Sequence, residues 1–99
     1  MESQIYLDFN ATAPTRPEVI DVMTEAMREG GNASSVHGTG RAARARVEEA
    51  RRHVAALVGA AAENVVFTGS GTEADNQVLR CTGCPGLVIS AIEHEAVML

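Results

Sequence analysis

An α/β fold is what the sequence predicts, and two observations carry that expectation. The first lies in the C-terminal third. Val65-Val66-Phe67-Thr68 favours β structure, Gly69-Ser70-Gly71 forms a turn, and a polar helix-compatible run follows over 72–81. The chain then breaks at Thr82-Gly83-Cys84-Pro85-Gly86 and resumes a β-favouring run at Leu87-Val88-Ile89-Ser90-Ala91. Strand, helix and strand in so short a span make a βαβ unit. The second observation is a helical stripe. Ala43, Val47, Ala50, Val54 and Leu57 step by four, three, four and three, which places them on one face of a helix over 41–58. Gly59 is its expected stop.

The remaining elements follow in order. Ile5-Tyr6-Leu7 is a short β-like run ending at Asp8, and Asn10-Ala11-Thr12-Ala13-Pro14 reads as a turn or loop. Thr15 and Glu18 stand in capping-box spacing with Pro17 in the tolerated first turn, so a helix is expected from there. Val19, Val22, Met23, Ala26 and Met27 recur at helical spacing until Gly30-Gly31 ends the run. Residues 31–40 form a polar, glycine-rich loop. Glu95-Ala96-Val97-Met98-Leu99 reads as a helix beginning, in mid-element.

Composition narrows the function. The chain has 99 residues, enough for one small domain. Its hydrophobic content of 45% and charged content of 21% fit a globular chain. A net charge of −5 argues against nucleic-acid or anionic-membrane binding. No long apolar run or secretory signal is present, so a cytoplasmic location is expected. All eight basic residues are arginine. Without lysine, no Schiff base to a lysine amine forms within this chain.

The glycine turn has three readings. Gly69-Ser70-Gly71-Thr72-Glu73-Ala74 matches G-x-G-x-x-A, and Glu93 ends the next strand where a ribose contact belongs, which points to a dinucleotide. The same turn can hold a single phosphate on the helix N-terminus with help from the Thr72 hydroxyl. It can also be a plain turn that needs glycine for its backbone. His94 stands at a strand end, where ligands of open α/β sheets bind, and a neutral imidazole there can stack on a ring or move a proton. The alternative is a surface histidine at a helix start. His37 lies in a loop that could line a pocket or simply be a capped turn, and His53 reads as structural. Cys81 and Cys84 form a lone C-x-x-C without the two further ligands zinc requires, so no metal site is expected. The arginines of 41–58 read as a solvated face beside Glu48 and Glu49.

Four stretches in order resemble one family. Tyr6-Leu7-Asp8-Phe9-Asn10-Ala11-Thr12-Ala13-Pro14 resembles the opening Y-L-D-x-x-A-T-x-P of the cysteine desulfurases, in the class V aminotransferase group of pyridoxal-phosphate (PLP) enzymes. Gly31-Asn32-Ala33-Ser34-Ser35-Val36-His37 resembles their G-N-P-S-S-x-H, with Ala33 where proline is usual. Residues 66–76 resemble V-F-T-S-G-A/G-T-E-A/S-x-N, with Gly69-Ser70 in place of the usual Ser-Gly. Ser90-Ala91-Ile92-Glu93-His94-Glu95-Ala96-Val97 resembles S-x-x-E-H-x-A/S-V. The connection from Asn76 to Leu87 is short for the family.

The resemblance implies the N-terminal part of a fold-type I PLP large domain, a three-layer αβα architecture, incomplete here. Residues 1–14 would be an arm and 15–99 the beginning of the cofactor domain. Gly71 and Thr72 would bind the PLP phosphate. His94 would stack on the pyridine ring and assist proton transfer. Asn10, Ala11, Thr12 and His37 would lie near the substrate pocket. The implied reaction takes L-cysteine to L-alanine, leaving sulfur as an enzyme persulfide for iron–sulfur clusters or other acceptors. Implied partners are a sulfur-acceptor or scaffold protein and, in the full-length enzyme, a second subunit. The lysine, the acidic partner of the pyridine nitrogen and the persulfide cysteine lie further along in the family, so this chain alone is expected to be inactive. Cys81 and Cys84 do not stand in the persulfide loop. The alternatives are another class V enzyme such as a selenocysteine lyase or aminotransferase, a dinucleotide-binding βαβ module, or a non-catalytic fragment.

Overall fold

Helices account for the regular structure of the described residues. The computed structural model describes residues 5–98. In chain order they form α1 (Pro17–Glu29), α2 (Gly38–Val58), a single 3-10 turn (Ala62–Asn64), α3 (Gly71–Cys81) and α4 (Glu95–Met98). The chain divides into two compact units, Met1–Ala50 and Arg51–Leu99, with the boundary inside α2.

The first unit begins with a turn. The Asp8 carbonyl accepts from the backbone N–H groups of Ala11 at 3.2 Å and Thr12 at 3.4 Å, and the Asp8 carboxylate also accepts from Ala11 at 3.3 Å. Tyr6 and Phe9 meet edge to face at 5.9 Å. α1 starts differently from the expected capping box: Arg16 is the N-cap and makes no side-chain cap bond. Pro17 decides this, because proline fits best at the first helical position, which puts the cap at residue 16 rather than at Thr15. Gly30, with φ 60, ends the helix.

α2 begins at Gly38, three residues before the start expected at Arg41. His37 supplies the missing cap: its carbonyl accepts from Arg41 N–H at 2.9 Å, and its Nδ1 accepts from Gly40 N–H at 3.4 Å and lies 2.8 Å from the Thr39 hydroxyl. The loop before it packs tightly on this first turn. A Cβ on Gly31, whose φ is 100, would stand 2.7 Å from the Thr39 carbonyl oxygen. Arg46 and Glu29 pair at 2.5 Å.

In the second unit, the runs 65–68 and 87–91 form no strand ladder among the described residues, although Val65 is extended at φ −93, ψ 123. β preference describes how a residue fits a pleated, partnered surface, and a run without a partner strand has no ladder to join. Arg51 fixes the first run instead. Its guanidinium donates to the Val65 carbonyl and sits over the Phe67 ring, 5.2 Å from its centre. Ala55 is the one buried apolar residue among those described, and the stripe residues Val22, Met23, Met27 and Leu57 are exposed.

Candidate functional site

The start of α3 is built by Thr68, Gly69, Ser70 and Glu73. Ser70 is the N-cap, and its side chain accepts from Glu73 N–H at 3.2 Å. The Glu73 carboxylate reaches back to accept from Gly69 N–H at 2.7 Å. This is a capping box whose acidic arm reaches one residue further back than usual. The Ser-x-x-Glu spacing of Ser70 and Glu73 carries it and could have been read directly from the sequence. Thr68 donates its hydroxyl proton to the Ser70 carbonyl at 3.0 Å, which holds the turn closed from the other side.

With Gly69 and Glu73 satisfied, the backbone N–H groups of Gly71 and Thr72 have no protein acceptor among the described residues. They lie in the first turn of an eleven-residue helix, where unpaired donors and the positive end of the helix dipole coincide. A Cβ placed on Gly71 would meet nothing within 4 Å, and both residues are exposed. Two aligned donors, a threonine hydroxyl and an unobstructed approach suit the oxygens of a phosphate monoester. The donor set therefore fits the phosphate end of PLP.

His94 occupies a second helix start. Its carbonyl accepts from Val97 N–H at 2.8 Å and its Nδ1 from Ala96 N–H at 3.1 Å. A ring nitrogen that accepts is unprotonated, so in the neutral ring the proton sits on Nε2. The cap thereby sets both the ring's attachment and its tautomer. Sequence reasoning missed the residue that joins this element to the first. Asn76, half-buried on α3, donates its amide protons to the Thr72 carbonyl at 2.9 Å and to the Ala96 carbonyl at 3.4 Å. One side chain thus ties the first turn of α3 to the helix that His94 caps, and α3 packs against α4. Its signal was present as the last residue of the 66–76 stretch.

The other expected residues are in the first unit. Asn10, Ala11 and Thr12 form the exposed turn tied to Asp8, and His37 caps α2. Cys81 and Cys84 are free and exposed, and no cluster of metal-binding side chains occurs among the described residues. His53 is exposed. A cleft of about 420 Å³ lies along α3, lined by Val66 and Thr68 on one side and by Ala74, Gln77, Val78 and Cys81 among others. Gly71 and Thr72 do not line it. No described helix is long and apolar enough to cross a membrane.

Comparison with known proteins places the sequence in a family. The family model for class V aminotransferases matches residues 5–99. The chain belongs to that family. Its relatives include the cysteine desulfurase IscS of Dictyoglomus turgidum, 37% identical over 99% of this chain and 27% of that protein. An IscS-like cysteine desulfurase of Mycobacterium tuberculosis is 48% identical over 94% of this chain and 26% of its own length. The selenocysteine lyase of Bos taurus is 46% identical over 78% of this chain and 18% of its own length. No solved structure matches. The chain spans about a quarter or less of the length of these curated relatives. Class V aminotransferases, cysteine desulfurases and selenocysteine lyases use PLP. The family accounts for residues 5–99, whereas a dinucleotide fingerprint accounts only for 69–74.

Proposed function

We propose that this chain is the phosphate-binding front portion of a fold-type I, α/β PLP enzyme that takes sulfur from L-cysteine. The observation that carries the proposal is the pair of unpaired N–H groups on Gly71 and Thr72 beside an open glycine. PLP supplies an electron sink for the substrate carbon. The residues here supply grip and orientation. Gly71 and Thr72 donate to the phosphate, and the Ser70–Glu73 box keeps the remaining first-turn donors occupied, so the anion is held at one register. His94 provides a ring face against the cofactor, held by Ala96 N–H and positioned relative to Thr72 through Asn76. Asn10, Ala11, Thr12 and His37 are assigned to the substrate side. Sulfur then passes to an acceptor or scaffold protein, and the working enzyme is a homodimer. With no lysine, the chain alone makes no alanine from L-cysteine.

Equilibrium dialysis of the purified chain against PLP and against unphosphorylated pyridoxal tests the assignment. PLP should bind more tightly by about tenfold or more, the worth of one charge-assisted hydrogen bond. Thr72→Val should remove part of that margin. Equal retention of both compounds would overturn the phosphate assignment, and preferential binding of NAD would favour the dinucleotide reading. A selenocysteine lyase is the second reading, supported by the 46% identity to the Bos taurus protein. Competition between L-cysteine and L-selenocysteine in an active enzyme carrying these residues separates the two.

A further inference from the structure

The C-x-x-C pair plays no part in the proposed cofactor site, yet its geometry is specific. Cys81 is the last residue of α3, and the backbone then passes through Thr82 at φ −68, ψ −18 and Gly83 at φ 65. A right-handed residue followed by a left-handed one turns the chain at the helix end. Fully extended, three residues span about 10 Å, beyond the roughly 7 Å between Cα atoms that a disulfide tolerates. The turn shortens that span, and Gly83 is the residue type that takes its φ without strain. The Cys84 Sγ points back toward the helix end, donating weakly to the Thr82 carbonyl at 3.9 Å. Both thiols are exposed. With no third metal-binding side chain clustered near them among the described residues, they form a two-thiol system.

We infer that Cys81 and Cys84 are a dithiol site that closes to an intrachain disulfide by exchange with a low-molecular-weight disulfide of the oxidised-glutathione class. One protein thiolate attacks a glutathione sulfur, forming a mixed disulfide and expelling one glutathione thiolate. The second protein thiolate attacks the protein sulfur of that mixed disulfide, forms the Cys81–Cys84 bond and expels the other glutathione. Two protein thiols give up two electrons and two protons, and one oxidised glutathione becomes two reduced molecules. Closure ties the end of α3 to the loop that follows it.

The test equilibrates the purified 99-residue chain in defined mixtures of reduced and oxidised glutathione, with and without urea. Acid quenching, alkylation and peptide mass spectrometry then identify the products. The expected product is a chain two hydrogens lighter with Cys81 and Cys84 joined, at an effective thiol concentration about tenfold higher in native buffer than in urea. Gly83→Val, which leaves both sulfurs in place, should abolish that native advantage. Cys84→Ser should stop at the Cys81 mixed disulfide. Glutathione retained on both cysteines of the native chain, covalent dimers, or equal closure with and without urea would each overturn the inference.

Discussion

Gly40 and Gly71 each stand in the first turn of a helix, and their surroundings are opposite. A Cβ on Gly40 would lie 2.5 Å from the Ser35 carbonyl oxygen and 2.7 Å from the Asn32 carbonyl oxygen, whereas one on Gly71 would meet nothing within 4 Å. At α2 the preceding loop has folded over the helix start, and His37 caps it. At α3 the turn stops short, and the Ser70–Glu73 box satisfies the donors at its edges while leaving Gly71 and Thr72 N–H open. Glycine-rich sequence at a helix start thus has two separate uses. In one the chain fills the space itself, and in the other it leaves the space open.

Four substitutions probe this contrast. Gly40→Ala should cost the most, about 2–3 kcal/mol in urea unfolding, because backbone rather than a flexible side-chain tip blocks the new methyl. A neutral result would mean the α2 entrance is loose and the contrast false. Asn76→Ala should cost about 2 kcal/mol, since two side-chain hydrogen bonds are lost, one of them partly buried. The same variant should weaken PLP binding, which sharpens the link from Thr72 to His94. Ser70→Ala should cost about 1 kcal/mol as a lost N-cap, measured the same way. Gly71→Ala should change stability least, by no more than about 0.5 kcal/mol, as at surface positions free of special contacts. Its effect falls on binding: PLP affinity in dialysis should drop severalfold while unfolding barely moves. Loss of stability without loss of affinity would show that the open turn serves the fold alone.

Much of this was legible from residue spacing. The stripes of Val19 to Met27 and Ala43 to Leu57 gave α1 and α2, and Gly30 and Gly59 marked their ends, because helical periodicity and left-handed glycine stops are local properties. The open first-turn donors of Gly71 and Thr72 were legible because a glycine turn that opens a helix leaves its first backbone N–H groups without intrahelical partners. The two histidine caps were not. A ring nitrogen in the cap role has no spacing signature comparable to Ser-x-x-Glu, so Gly38–Gly40 read as loop although they are helical. Thr15 misled because it shares its neighbourhood with Pro17, whose own preference for the first helical position wins. The β-favouring runs report side chains suited to a sheet, and pairing is a property of two segments that neither run encodes by itself.

The Arg51 contact with Val65 has a consequence for solubility. The run 65–68 is β-favouring, extended at Val65 and in no strand ladder among the described residues, and backbone of that kind is a template on which a foreign strand can add. The guanidinium occupies one acceptor of that template and places a positive charge over the Phe67 ring beside it. An incoming strand must displace both before it can zip along the segment. The side chain that fastens this run therefore also guards its edge against aggregation.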